Sequence, residues 1–378
     1  MVGFRDSQAQ AGRVSAVTAA EKLTVAVVYG GQSTEHSVSC ISAGAIIDNL
    51  DPERFTVVPV GITNGGAWVP GATDTAQLRA SGRELPTVAD HGEHIQPMLG
   101  AAGEATEFRF VTGDRAGDVF ATADVIFPVL HGANGEDGTI QGLFDLLGAR
   151  YVGNGVLASA AGMDKEFTKK IAREAGIPTG PEVVLHGRTE LTDHERELLG
   201  LPVFVKPARG GSSIGISKVD SWQDLPAAIE EAASHDPKVI IEAMITGPEV
   251  ECGVLEREDG TLVASSPAML EGTDAGEEGF YGFDAKYLDD TVSATIPAPL
   301  DEETTRRVQQ LAIETYRALG CTGLARVDFF VTDAGPVLNE INTMPGFTPI
   351  SMYPQMFLAD GVSYADLLTT LVSGARRH

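Results

Sequence analysis

Predicted strands that alternate with predicted helices are the feature that most limits the folds open to this chain. The run LTVAVVYGG (residues 23–31) is apolar, rich in β-branched residues and ends in two glycines, and a helix-like pattern follows it at 37–50. Further strands are predicted at 55–62 and 121–130, and a helix at 139–148. This alternation predicts an α/β unit built on a doubly wound parallel sheet.

The second half of the chain has a different pattern, made of shorter strands. Residues 201–207 and 215–219 are strand candidates joined by a Gly-Ser loop, and a third candidate spans 238–245. Farther along, a helix is predicted at 301–319 and a β-hairpin at 325–342. Short strands in this order indicate α+β units with antiparallel pairing.

A length of 378 residues favours two or three domains, each with a core of its own. We predict a disordered tail at 1–22, an N-terminal α/β domain at 23–152, a central α+β domain at 153–246 and a C-terminal α+β domain at 247–378. Residues 70–120 are rich in Gly, Ala, Asp and Glu with only short apolar stretches, so we expect an irregular insertion there.

The net charge argues against several classes of partner. The chain carries 53 acidic and 27 basic side chains, a net charge of −26, which repels nucleic acids and anionic membranes. Its longest uncharged run, 341–359, contains three prolines and makes a poor membrane helix. The N-terminus lacks the continuous apolar core of a signal peptide. We therefore expect a soluble, cytoplasmic protein that binds neither nucleic acid nor membrane.

Asp328, Glu340 and Asn342, which have oxygen-bearing side chains, fall on the predicted hairpin at 325–342. Because side chains alternate along a strand, Glu340 and Asn342 share a face, and Asp328 on the partner strand can share it too. Such hard oxygen ligands suit Mg²⁺ held together with the phosphates of a nucleotide. Arg326 points the same way and offers a cation to a transferred phosphoryl group or to an oxyanion. A solvated hairpin face with one ion pair explains the same pattern.

The loop RGGSSIG (209–215) lies between two strand candidates, and Lys206 is on the strand before it. Glycines let backbone N–H groups approach a phosphate closely, and the hydroxyls of Ser212 and Ser213 add donors. The loop lacks the GxxxxGK[ST] pattern and the following helix of a Walker A motif. It therefore fits a flexible lid over a triphosphate, or else a long turn with ordinary turn residues.

Other polar residues follow predicted strands. Glu242 ends a strand candidate and Glu249 follows a Gly-Pro turn, and a carboxylate in such a place can accept hydrogen bonds from a sugar hydroxyl. Glu35 and His131 lie in Gly-rich turns at the carboxyl ends of predicted parallel strands, where open α/β sheets bind ligands. Taken singly, each of these residues also fits an ordinary loop.

Eight motifs in one order make the chain resemble the D-alanine:D-alanine ligase family of the ATP-grasp enzymes. They run through nearly the whole region predicted to be ordered, as GGxSxEHxVS, HGxxGEDGxxQG, MDK, VKPxxxGSSIG, IExxxxGPE, AKY, ARVDFF and NEINTMPG. The resemblance implies a three-domain ATP-grasp architecture, in which an N-terminal doubly wound sheet is followed by two α+β domains that clamp ATP. It also implies synthesis of the D-alanyl-D-alanine used in peptidoglycan.

The resemblance implies roles for individual residues as well. Those implied in ATP binding are Lys165, Lys206 and Lys286 at the phosphates, Ser213 in the phosphate loop, and Glu242 and Glu249 at the adenine and ribose. The implied ligands of two Mg²⁺ ions, or of Mn²⁺ in their place, are Asp328, Glu340 and Asn342. The residues implied at the amino acids are Glu35, Ser212 and Tyr287 at the first D-alanine with His131 close by, Arg326 and Gly346 at the tetrahedral intermediate, and Ser351 and Met352 near the second D-alanine.

The reaction implied by the resemblance passes through an acyl phosphate, which the amine of the second D-alanine attacks. Three rivals remain open: a relative that joins D-alanine to D-lactate or D-serine, another ATP-dependent carboxylate ligase, and a catalytically silent nucleotide sensor on the same fold. The family also implies a homodimer.

Overall fold

A computed structural model of the chain describes residues 22–80, 82, 84–98, 105–272, 293–348 and 350–378. The strands in these ranges, β1 to β17, are Leu23–Gly30, Phe55–Ile62, Trp68–Pro70, Ile95–Met98, Thr106–Phe110, Val119–Ala123, Val125–Val129, Glu182–His186, Val203–Pro207, Ser217–Val219, Lys238–Ala243, Glu249–Glu256, Leu262–Ala264, Ala268–Glu271, Ser293–Thr295, Leu324–Thr332 and Gly335–Asn342. The α-helices, α1 to α9, are His36–Asn49, Thr139–Leu146, Val156–Met163, Lys165–Glu174, Asp193–Leu199, Leu225–His235, Glu302–Ala318, Met352–Ala359 and Tyr364–Gly374. No helix in the described ranges is long and apolar enough to cross a membrane.

The first sheet has the strand order β3-β2-β1-β7. Strand β1 runs parallel to both β2 and β7, with Val25 opposite Val57 on one side and Val125 on the other. Only the short edge strand β3 is antiparallel. Most of β1 and all of β7 are buried, which explains why their sequences are continuously apolar rather than alternating. The strands predicted at 23–31 and 55–62 and the parallel sheet are confirmed.

The irregular insertion predicted at 70–120 contains short strands at Ile95–Met98 and Thr106–Phe110, which the sequence analysis did not predict. Strands β4, β5 and β6 form a three-stranded antiparallel sheet in that region. Along β5 the residues alternate between buried and half-buried, and Phe108 and Phe110 pack into one core with Val28 and Ile126 of the first sheet. Each of these strands is only four or five residues long, so its apolar content looks sparse in the sequence.

The single strand predicted at 121–130 is wrong, because the chain changes sheets at Asp124. Strand β6 ends at Ala123 in the small antiparallel sheet, and β7 begins at Val125 in the parallel one. Asp124 bridges the two by exchanging hydrogen bonds with the backbone of Thr24, one from its own N–H at 2.8 Å and one to its carboxylate at 2.7 Å.

The other two sheets are antiparallel, as the sequence predicts. One has the order β10-β9-β11-β8, and the other has the order β15-β14-β12-β16-β17 with β13 added to β12. In the β16–β17 hairpin, Asp328 lies opposite Glu340 and Arg326 opposite Asn342. Directly opposed residues of an antiparallel pair share a face, so the expected common face of these four side chains is confirmed.

The segment that follows β17 packs against the first sheet rather than against its own. Phe347 is fully buried, with its ring 6.2 Å from that of Phe127 in β7 and 5.5 Å from that of Tyr353 in α8. The core of the first sheet therefore continues into the C-terminal part of the chain, and this contact fixes where the segment after β17 can lie.

A buried amide adds a polar link between the same regions. Asn154 donates two hydrogen bonds from Nδ2, to the carbonyl of Leu324 at 2.8 Å and that of Thr343 at 2.7 Å, and its Oδ1 accepts the N–H of Thr322 at 2.9 Å.

Asn154→Ala should lower the free energy of unfolding by about 3 kcal/mol, because buried polar partners lose their hydrogen bonds. Urea unfolding measures this. The control Asn49→Ala, at an exposed position, should change it by less than about 0.5 kcal/mol. Equal effects of the two changes would contradict this role of Asn154.

Candidate active site

A cleft of about 840 Å³ opens among the first sheet, the Gly-Ser loop at 209–215 and the end of the hairpin. The predicted site residues that line it are Glu35, His131, Lys165, Lys206, Ser212, Ser213, Glu242, Glu249, Arg326, Glu340, Asn342, Gly346, Ser351 and Met352. Asp328 reaches the same place through contacts with Arg326 and Asn342. Lys286 and Tyr287 fall within 273–292, outside the described residues.

One end of the cleft joins two distant parts of the chain through a serine and a carboxylate. Ser212 of the Gly-Ser loop donates a hydrogen bond from its hydroxyl to Glu35, the residue just before α1. Gly132 passes directly against this carboxylate with a φ of +72°, and a Cβ atom there would collide with it. Glycine is therefore required at 132 both for its backbone conformation and for space.

Lys165 begins α4, immediately after Asp164 caps the helix with its side chain. Its Nζ donates to the carbonyl of Gly210 at 2.9 Å and lies 3.7 Å from the carboxylate of Glu340. This amine thus lies between the Gly-Ser loop and the hairpin face, where the phosphates of a nucleotide could replace these contacts.

Two lysines flank a buried carboxylate at the next step along the cleft. Lys206 of β9 lies 2.7 Å from Glu242 of β11, and Lys169 of α4 pairs with the same carboxylate. Burial alone would raise the pKa of Glu242, but the two ammonium groups outweigh it and hold the pKa far below its usual range. Burial would lower the pKa of Lys206, and the Glu242 charge reverses that shift. Sequence reasoning missed Lys169, although its spacing of one helical turn from Lys165 was a usable signal.

Arg326 is held by carboxylates on two strands. Its Nε and Nη2 each donate to Asp328 at 2.8 Å, and its Nε lies 3.4 Å from Glu251 of β12. Burial alone would lower the pKa of Arg326, but Asp328 and Glu251 raise it well above the usual value. The guanidinium is thus a fixed cation at the cleft. Sequence reasoning missed Glu251, which lies opposite Asp328 in the sheet and within an otherwise buried strand.

The residues expected to bind metal have suitable chemistry. Among the described residues no group of three or more His, Cys, Asp and Glu side chains is arranged around a common metal position. The predicted set differs in combining two carboxylates, Asp328 and Glu340, with the amide of Asn342, which donates its Nδ2 to Asp328 at 2.9 Å. These hard oxygen donors on one face of the hairpin fit Mg²⁺. A bound Mg²⁺ would share the Asp328 carboxylate with Arg326.

Gly346 lies in the segment after β17, beside the start of α8. A Cβ atom on Gly346 would lie 2.8 Å from the hydroxyl oxygen of Ser351, so a larger residue would displace that side chain. The Ser351 hydroxyl in turn accepts the N–H of Thr348 at 3.0 Å. The predicted neighbours Gly346, Ser351 and Met352 therefore do come together at one edge of the cleft.

His131 is buried, and its ring connects the first sheet to the same segment. Its Nε2 lies 3.1 Å from the Ser42 hydroxyl, and its Nδ1 lies 3.2 Å from the carbonyl of Met344. A carbonyl only accepts, so Nδ1 carries the proton. Burial lowers the pKa of His131 although Glu35 opposes the shift, so the imidazole is neutral at pH 7. A neutral ring in this tautomer accepts the Ser42 hydroxyl at Nε2.

Glu136 is a further acidic residue of the cleft that sequence reasoning missed. Its carboxylate accepts the N–H of Gly132 at 2.7 Å and the N–H of Met344 at 3.2 Å. Burial and the neighbouring Glu35 raise the pKa of Glu136 to about 8, while Arg326 acts in the opposite direction. The motif HGxxGEDGxxQG contains Glu136, but the sequence gives no sign that its partner is the backbone of Met344.

The fold and the cleft together show the class of protein to which this chain belongs. Two antiparallel sheets enclose lysines, a Gly-Ser loop and an acidic hairpin face, and this arrangement is that of an ATP-grasp enzyme. Two solved structures share the fold over most of the chain. VanG D-Ala:D-Ser ligase from Enterococcus faecalis has a TM-score of 0.78 at 35% identity, covering 94% of this chain and 99% of that one. The D-alanine-D-alanine ligase from Coxiella burnetii has a TM-score of 0.76 at 33% identity, covering 93% of each.

Sequence comparison then gives the family. The family models for the D-ala D-ala ligase N-terminus and C-terminus match residues 24–154 and 171–373. A D-alanine–D-alanine ligase of Corynebacterium urealyticum is 99% identical over 96% of this chain and 100% of that protein. One of Corynebacterium jeikeium is 68% identical over 94% and 97%. The chain belongs to the D-alanine–D-alanine ligase family, which confirms the resemblance seen in its motifs.

The raised pKa of Glu136 predicts a pH effect on stability. The native state keeps this proton up to a pH of about 8, whereas the unfolded chain loses it near the model-compound pKa of 4.5. Stability contributed by this group therefore falls as the pH rises between these values. Glutamine cannot lose a proton, so the free energy of unfolding of Glu136→Gln relative to the unmodified chain should increase from pH 5 to pH 8.

Urea unfolding at both pH values measures this difference. Glu303→Gln, at an exposed position of α7, serves as the control for the loss of one carboxylate. In the contrary result, the free energies of unfolding of Glu136→Gln and of the unmodified chain differ by the same amount at both pH values. That result would show that Glu136 does not hold a proton in the native state.

Proposed function

We propose that this chain uses ATP to join two D-alanine molecules into D-alanyl-D-alanine, the dipeptide used in peptidoglycan synthesis. The observation that carries the proposal is that one cleft holds the Glu35–Ser212 pair, the Arg326 guanidinium and the amines of Lys165 and Lys206. Such a ligation needs a carboxylate with a serine hydroxyl to bind an amino acid, a fixed cation for an oxyanion, and lysines for phosphates.

The first step makes the carboxylate of one D-alanine reactive. That carboxylate attacks the γ-phosphorus of ATP, the bond to the bridging oxygen breaks, and an acyl phosphate and ADP result. Lys165 and Lys206 neutralise the charge that would otherwise keep the two anions apart. Glu35 and Ser212 hold the substrate ammonium group, with Tyr287 as the third proposed member of this set.

The second step forms the peptide bond. The amine of the second D-alanine loses a proton and attacks the carbonyl carbon of the acyl phosphate, and the tetrahedral intermediate then expels phosphate. We propose that Arg326 and the backbone N–H of Gly346 stabilise the oxyanion. Ser351 and Met352, beside Gly346, border the place for the second D-alanine. A closed cleft protects the acyl phosphate from water.

We propose that two Mg²⁺ ions, or Mn²⁺, bind at Asp328, Glu340 and Asn342, where they would supply positive charge to the phosphates. The proposed nucleotide contacts are Lys286 at the phosphates, Ser213 in the loop, and Glu242 and Glu249 at the adenine and ribose. In the structure Glu242 pairs with Lys206, so binding of phosphate at Lys206 would leave Lys169 as the remaining partner of Glu242.

Three features of organisation complete the proposal. We propose domains at 23–152, 153–246 and 247–378, and the division is supported by the four sheets of the described residues, each of which lies within one of these ranges. A homodimer is supported by the family resemblance, and light scattering of the purified protein tests it. A cytoplasmic location is supported by the use of ATP as substrate.

The activity is tested by incubating the protein with ATP, Mg²⁺ and D-alanine. We expect ADP and D-alanyl-D-alanine by mass spectrometry, with neither product formed when EDTA removes the metal.

Arg326→Ala should lower kcat on the order of 10² to 10³-fold, the usual loss for one donor to an oxyanion. Arg306→Ala, on the exposed face of α7, is the control. A loss of less than about threefold in Arg326→Ala would remove Arg326 from the chemistry, and ATP binding without turnover in the unmodified chain would favour a nucleotide sensor.

The acceptor needs its own test, because a structure of the same fold is that of a D-Ala:D-Ser ligase. A competition with equal D-alanine, D-serine and D-lactate across pH 6 to 9 spans the titration of an α-amino group, whose usual pKa is about 8. An amine must lose its proton before it attacks, so D-alanine should gain over D-lactate as the pH rises. We expect D-alanyl-D-alanine to dominate at neutral to alkaline pH. A predominance of the D-serine or D-lactate product would change the substrate while leaving the ATP-grasp chemistry intact.

A further inference from the structure

The segment 343–347, which carries Gly346, is held from outside its own sheet. Four side chains from the first 154 residues bind its backbone. They are Asn154 at the carbonyl of Thr343 (2.7 Å), Glu136 at the N–H of Met344 (3.2 Å), His131 at the carbonyl of Met344 (3.2 Å) and Ser42 at the N–H of Phe347 (3.3 Å). The direction of its peptide groups therefore depends on the N-terminal part of the chain.

Met344 is the best held of these residues. Glu136 binds its N–H and His131 binds its C=O, so the peptide groups on both sides of its Cα are held in place. The second oxygen of Glu136 accepts the N–H of Gly132, in the loop that begins with His131. One carboxylate thus ties this loop to the segment 343–347, 208 residues farther along the chain.

We propose that Glu136 is a positioning residue for the second step of the reaction: by holding the N–H of Met344, it fixes the direction of the Gly346 N–H two residues later. The inference rests on the proposed function. Donors to an oxyanion act only when they are held in the right direction before the reaction. An error of about 1 Å in such a position can cost about 10²-fold in rate.

The chemistry of Glu136 suits this task. A carboxylate offers two acceptor oxygens and can bind both N–H groups at once, whereas glutamine would place an NH₂ group against one of them. The raised pKa of Glu136 arises first from burial and then from Glu35. A substrate ammonium group beside Glu35 would offset the Glu35 charge and so favour the ionised form of Glu136.

The test separates the two steps of the reaction in Glu136→Ala and in the isosteric Glu136→Gln. Dipeptide synthesis reports both steps. The first step alone is followed by positional isotope exchange, in which ¹⁸O moves from the β,γ-bridge of ATP to a β-nonbridge position only when phosphoryl transfer is reversible. The matched control is Asp137→Asn, because Asp137 also accepts two backbone N–H groups, from Asn134 at 2.9 Å and Thr139 at 3.0 Å, but within its own loop.

We expect kcat for dipeptide to fall about 10 to 100-fold in Glu136→Ala, with KM for ATP and the rate of isotope exchange within about threefold of the unmodified chain. Glu136→Gln should keep more activity than Glu136→Ala, since it retains one acceptor oxygen. Asp137→Asn should stay within about threefold in both assays.

Two results would overturn the inference. One is a kcat within threefold of the unmodified value in Glu136→Ala. The other is an equal loss of isotope exchange and of dipeptide synthesis in Glu136→Gln, which would indicate general damage to the site. If the unmodified chain itself shows neither isotope exchange nor dipeptide, the proposed function fails, and this inference fails with it.

Discussion

The pairing of buried charges is the constraint on which the rest of the cleft depends. Arg326 lies within contact of Asp328 and Glu251, and Glu242 lies between Lys169 and Lys206. An unpaired charge at this depth would cost several kcal/mol, so each cation is bound to a carboxylate from another strand or helix. These pairs place positive groups along the cleft before any ligand binds. An anionic ligand that takes the place of one of the carboxylates keeps the buried cation paired.

The hairpin of β16 and β17 gives this arrangement its geometry. Its register sets Arg326 opposite Asn342 and Asp328 opposite Glu340. Four polar side chains therefore project from one face of an otherwise buried sheet. A shift of β17 by one residue along β16 would turn Glu340 and Asn342 to the opposite face, towards the apolar core in which Val327 packs. The strong preference for one register therefore also preserves the site.

The segment after the hairpin belongs structurally to two parts of the chain at once. Phe347 packs in the core of the first sheet, while Asn154, His131 and Glu136 bind the backbone before it. The first 154 residues therefore line the cleft and also set the direction of the backbone that follows β17.

Local pattern in the sequence determined the elements and the faces of this protein. The apolar run of β1 and the alternation in the hairpin each impose a conformation through neighbouring residues alone, and the structure agrees with them. Order and spacing of the motifs were also sufficient to identify the family.

Tertiary structure alone decided which faces meet. Nothing local distinguishes the end of β6 from the start of β7, since the change of sheet at Asp124 is set by a partner at Thr24, 100 residues away. The roles of Lys169, Glu251 and Glu136 likewise depend on Glu242, Arg326 and Met344, which lie 73, 75 and 208 residues distant along the chain. Periodicity fixes the direction of a side chain relative to its own helix or strand, but the partner it reaches depends on how separate elements pack, and packing is a property of the whole chain.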